Sequence, residues 1–74
     1  MTTPAPLTTQ VGQSLRTQRR ALGLSQDDFA DRIHMHRAYY SAIERGEKNI
    51  TLSTLYRVAK GLGVSMSNLL KGID

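Results

Sequence analysis

The sequence predicts an all-α fold of five short helices. Three observations carry this reading. Apolar residues recur at spacings of three and four through most of the chain, the period of a helix with one buried face. Glycines and small polar residues stand where these runs stop and start, as helix-ending and helix-capping residues do. No stretch of useful length alternates apolar and polar residues as a half-buried strand would.

Residues 1–8 read as a flexible lead-in, with Pro4 and Pro6 among small residues. Residues 9–74 read as one domain. The first helix is expected from about Thr9 to Leu22, with Val11, Leu15 and Leu22 on one stripe. Gly23 follows as its left-handed C′ residue. Arg16, Arg19 and Arg20 suit the negative end of its dipole. The second helix starts at Ser25 and stops near Ile33, burying Phe29, Ala30 and Ile33. Ser25 and Asp28 resemble a capping box, with Asp in place of Glu or Gln.

The third helix runs from near His36 to just before Gly46. Tyr40 and Ile43 are three apart and share its inward face. Arg37, Ala38, Ser41 and Ala42 are placed on the opposite face, with Tyr39 at its edge. Residues 47–50 form a loop. Thr51 caps a fourth helix, whose stripe is Leu52, Leu55, Val58, Ala59 and Leu62 and whose end is Gly63. Ser65 caps a last short helix carrying Met66, Leu69 and Leu70.

Composition excludes several functions. A chain of 74 residues has room for one core, and buries only about 60% of the surface its unfolded form exposes. It has no cysteine, hence no disulfide, thiolate metal site or thiol nucleophile. No apolar run approaches the ~20 residues that span a bilayer, so no membrane partner is expected. The first six residues lack the basic start and apolar stretch of a signal peptide. A cytoplasmic, nucleoid-associated location is the expectation.

The acids Asp27, Asp28, Asp31, Glu44, Glu47 and Asp74 form no catalytic constellation. No glycine-rich phosphate loop or nucleophile–base pair is present, so the chain is not read as an enzyme. His34 and His36 do not share a helical face and lack a third ligand, so no metal site is read. No cofactor and no small-molecule effector domain are evident. Ten Lys and Arg oppose six Asp and Glu, a net charge of +4. That balance is the footprint of a polyanion binder.

The informative segment is residues 25–46. Only His34, Met35 and His36 separate two helical patterns, and so short a break forces the helices to cross steeply. That is helix-turn-helix geometry, which presents the second helix to a DNA major groove. Here the sequence resembles the Xre/Cro-repressor helix-turn-helix family. The resemblance rests on Gly23-Leu24-Ser25-Gln26, Phe29-Ala30, Ile43-Glu44-Arg45-Gly46 and Leu55 through Ser65, and covers about residues 10–71. Residues 36–41 and 44–50 look most like the controller proteins of restriction-modification systems.

The resemblance implies a five-helix lambda-repressor-like domain. It implies a sequence-specific transcriptional regulator that binds a palindromic operator in double-stranded DNA as a homodimer. An antitoxin or other protein-interaction module of the same fold is the alternative.

Site residues follow from the same resemblance. Gln26 matches a phosphate contact at a helix N-terminus. The reading edge begins at His36. Arg37 is suited to bond guanine bidentately, Ala38 offers a methyl, and Tyr39 faces the backbone or a deformed step. Ser41, Ala42 and Arg45 lie further along that edge. Lys48, Asn49 and Thr51 match positions near phosphates. Arg19 and Glu44 match a buried ion pair. Two positions depart from the family: His34 stands where many relatives have Gly, and His36 where a Ser or Thr often caps. Met66, Leu69, Leu70 and Ile73 exceed what a short terminal helix needs to bury, and with Tyr56 they are assigned to a dimer interface.

Overall fold

Capping chemistry and glycine placement set the helix ends within a residue or two of the sequence pattern. The structure, a computed structural model, describes residues 5–73. Helix α1 (Leu7–Ala21) begins at Pro6 and ends with Gly23 in the left-handed region at φ 72°. Leu7 and Thr8, assigned to the lead-in, are therefore helical, while residues 1–4 lie outside the described residues. Helix α2 (Gln26–Arg32) is capped by Ser25, whose Oγ accepts from the Asp28 N–H at 3.0 Å.

Helix α3 (Arg37–Glu44) starts after His36, whose side chain makes no capping bond. Helix α4 (Leu52–Leu62) is capped by Thr51 Oγ1, accepting from Thr54 N–H at 3.2 Å, and ends at Gly63 with φ 75°. Helix α5 (Met66–Leu69) is capped by Ser65. Among the described residues there is no strand.

The core is one cluster drawn from all five helices, centred on Leu15, Phe29, Tyr40, Ile43, Val58 and Leu69. The rings of Phe29 and Tyr40 lie 5.0 Å apart, tilted by 59°, a favourable aromatic arrangement that locks α2 onto α3. Helix α1 packs across α3 and α5, and α4 packs on α5. Gly12 lets α1 approach α3 so closely that a Cβ there would collide with the carbonyl oxygens of Ile43 and Glu44. Ser14 Oγ donates to Leu69 O at 2.6 Å, joining α1 to α5.

Four placements differ from the pattern. Leu22 and Leu52 are 44% and 71% exposed; each sits at a helix end, where a stripe runs past its partners. Ala42, assigned to the outward face of α3, is buried at 6%. It stands only about 100° around the helix from Ile43, and its methyl lies beneath its neighbours. Leu69, assigned to a dimer interface, is 1% exposed, because α5 turns it onto the core.

Candidate nucleic-acid interface

The inner side of α3 is fixed by a buried polar cluster. Arg19 and Glu44, the expected pair, meet in a two-pronged contact: Nε donates to Oε2 at 2.6 Å and Nη2 to Oε1 at 3.0 Å. Arg19 Nη1 also donates to Leu24 O at 2.7 Å, and Gln26 Nε2 donates to Glu44 Oε1 at 2.9 Å. One carboxylate thus ties α1, the start of α2 and the end of α3 together.

Burial works to raise the Glu44 pKa. The Arg19 guanidinium, with the nearby Tyr40 hydroxyl and the Gln26 amide, outweighs it and holds the carboxyl below its ordinary range. The hydrogen bond to Glu44 raises the Arg19 pKa, against the effect of burial. Tyr40 Oη is buried beside the pair without a hydrogen bond of good geometry. Its pKa is pushed far up, first by burial and then by the neighbouring Glu44.

The turn between α2 and α3 is short, as the sequence indicates. His34 takes a left-handed φ of 55°, the only non-glycine residue among those described to do so. A glycine would adopt it at less cost. The turn is held from outside by Arg57 of α4, whose Nε donates to Ile33 O at 2.9 Å and whose Nη2 reaches the carbonyl oxygens of Ile33 and His34. These carbonyls end α2 and would otherwise lack donors. Nothing local in the sequence marks Arg57 for this role, since its partners are 23 and 24 residues away.

The outer side of α3 is open. Arg37, Ala38 and Tyr39 are exposed, Ser41 is partly so, and Arg45 is exposed at the helix end. Arg37, Ser41 and Arg45 fall at i, i+4 and i+8, a single row on the helix surface. Arg45 Nη1 donates to Ser41 Oγ at 2.6 Å, and its Nε and Nη2 donate to Glu47 at 2.8 and 3.1 Å. That contact raises the Arg45 pKa and lowers that of Glu47. Arg37 Nε lies 3.0 Å from Asp27 Oδ1, a pairing the sequence reading missed.

The flanks complete the surface. Lys48 Nζ stands 6.0 Å from the centre of the Tyr39 ring, a cation–π distance that joins the loop to the open side of α3. Asn49 is exposed. The Thr51 hydroxyl is occupied in capping α4 and in contacts with Ser53 and Thr54. Gln26 is partly buried and its amide is committed to Glu44, so its side chain supports the start of α2 before it can meet a phosphate.

His36 is exposed at the start of the row. Among the described residues no group of acids, histidines or cysteines could hold a metal, and no helix is long and apolar enough to cross a membrane.

A second surface is apolar. Leu7, Val11, Ile50, Leu52, Leu70 and Ile73 line a groove of about 330 Å³ between the starts of α1 and α4 and the end of the described chain. Tyr56 and Met66 border a separate depression, lined also by Ala59, Lys60 and Val64. Of the assigned dimer residues, Tyr56 is exposed and Met66, Leu70 and Ile73 are partly exposed; Leu69 is not available.

The helix-turn-helix family HTH_3 matches residues 15–69. The chain is 39% identical over 64 residues to Control protein C.MunI from Mycoplasma sp, covering 85% of this chain and 86% of that protein. Among solved structures it is similar to the restriction-modification controller protein C.AhdI from Aeromonas hydrophila. There the TM-score is 0.80 at 34% identity, over 84% of this chain and 94% of that one. It is also similar to the clp gene regulator ClgR from C. glutamicum, with TM-score 0.87 and 30% identity over 93% and 90% of the two chains.

Proposed function

This chain belongs to the helix-turn-helix family that matches its residues 15–69, and from that premise we propose that it is a homodimeric, sequence-specific regulator of transcription that binds a two-fold symmetric operator. The single observation that supports this most is the row Arg37–Ser41–Arg45. It stands open on α3 while the other side of the same helix is anchored by Arg19 and Glu44. A helix entering the major groove needs both properties, reachable donors and a rigid mount.

Within this reading, Arg37 contacts a guanine edge, and Tyr39, Lys48 and Asn49 contact the backbone. Ala38 offers only its methyl, which suits a thymine. The exposed Leu52 and Tyr56, with Met66, Leu70 and Ile73, supply the apolar area for a second copy. Two recognition helices then read half-sites about 34 Å apart. The likeness to C.MunI and C.AhdI favours a controller role in a restriction-modification operon.

Selection of duplexes from a random DNA pool, followed by titration at two salt concentrations, tests the reading. The expected result is a two-fold symmetric consensus whose affinity falls steeply with salt. Failure to enrich any sequence, or an asymmetric single half-site bound by a monomer, overturns it.

A further inference from the structure

Asp27 has no evident purpose in a DNA-binding surface. It lies in the first turn of α2, where a carboxylate suits the helix dipole, but Asp28 occupies the same turn and shares that role. Its side chain is 69% exposed and its partner's 65%, so the pair adds little to the stability of the fold. A negative charge beside a phosphate-binding face also lowers affinity for every duplex alike. What the pair does accomplish is geometric. Asp27 Oδ1 meets Arg37 at Nε, 3.0 Å away, on the side of the guanidinium. The end of the fork, with its two Nη groups, is the part that bonds O6 and N7 of guanine.

Taking the DNA-reading function as given, we propose that Asp27 is a specificity-determining positioning residue, which draws the Arg37 guanidinium by ion pairing at its Nε side and so biases the fork toward a purine edge. A free arginine must be ordered at the moment of binding, and that ordering costs affinity for the correct site. A tethered one is ordered beforehand. The same carboxylate repels the backbone phosphates of every duplex alike and shifts all affinities by a common factor. Only the ordering of Arg37 widens the gap between right and wrong sequences, by improving the correct complex.

The test compares wild type, Asp27→Ala, Asp27→Asn and Arg37→Ala, and the double variant Asp27→Ala with Arg37→Ala. The probes are a duplex selected by the wild-type protein, the same duplex with the Arg37-dependent base pair exchanged, and an unrelated duplex. Helix content by circular dichroism confirms that each variant is folded.

Asp27→Ala is expected to bind the unrelated duplex a few-fold more tightly at low salt. Its preference for the selected base pair is expected to fall about two- to fivefold. Asp27→Asn, which keeps the shape and loses the charge, should fall in between. In the Arg37→Ala background the Asp27 change should leave base preference untouched. An Asp27→Ala protein that binds all three duplexes more tightly by one common factor would show a merely repulsive acid and overturn the proposal. A common weakening on all three would show a structural role and overturn it too. A wild-type protein with no base preference would overturn the function itself.

Discussion

The two sides of α3 carry similar chemistry in opposite conditions. On the inner side Arg19 and Glu44 are almost wholly covered; on the outer side Arg37 with Asp27 and Arg45 with Glu47 are open to water. All three are arginine–carboxylate ion pairs with closest N–O distances of 2.6 to 3.0 Å. Their consequences differ because the surroundings differ. A buried charge that loses its partner has nothing to replace it, whereas an exposed one is solvated at once. The inner pair therefore fixes where the helix stands, and the outer pairs stay free to be exchanged for phosphate oxygens or base edges.

The sharpest way to break this contrast is Glu44→Ala. It should leave Arg19 uncompensated and cost roughly 3–5 kcal/mol of unfolding free energy, read by urea denaturation. Replacing Arg19 and Glu44 together by Met and Leu should recover most of that loss. A Glu44→Ala protein as stable as the wild type would show that the pair does not anchor α3.

Arg37→Ala comes next. It should lower affinity for the selected duplex by about 1–3 kcal/mol and relax one base position, while the urea midpoint stays put. Equal weakening on every duplex would make Arg37 a phosphate contact only.

Titration of stability with pH sharpens the comparison further. The folded-state pKa of Glu44 is depressed below its ordinary value of 4.5. Its contribution is therefore complete above that value and is lost as pH falls from there through the folded pKa. Thermal melts should show a steeper decline in this window for wild type than for the Met/Leu double variant. The smallest effect expected is that of Glu47→Gln. It frees Arg45 without disturbing the fold, and should tighten binding to unrelated duplexes on the order of twofold at low salt.

Much of the architecture was legible because short-range chemistry writes it. Ser25, Thr51 and Ser65 cap as their positions suggest, and Gly23 and Gly63 end helices as left-handed residues. The inward direction of Tyr40 and Ile43 followed from helical spacing. Small side chains were misplaced because they give no amphipathic signal: Ala42 is apolar enough for the core and short enough for the surface. Leu52 was misplaced because a stripe does not reveal where its covering neighbours stop. The Arg19–Glu44 contact was visible only through family resemblance. The contacts of Ser14 with Leu69 and Arg57 with Ile33 span 55 and 24 residues, and no local pattern encodes them. The Asp27–Arg37 pair joins the starts of two helices across the turn, and no spacing rule within one helix brings them together.

Arg57 also bears on how the molecule can move. It follows Tyr56, on the exposed apolar side of α4, and its guanidinium grips the carbonyls at the bend between α2 and α3. In the proposed dimer, a single side chain would link the surface where two copies meet to the turn that carries α3, and the spacing between two bound heads would be set by the body of the protein. An operator whose half-sites were a base pair too near or too far would have to be wound or bent to fit, and the DNA would carry that mechanical load.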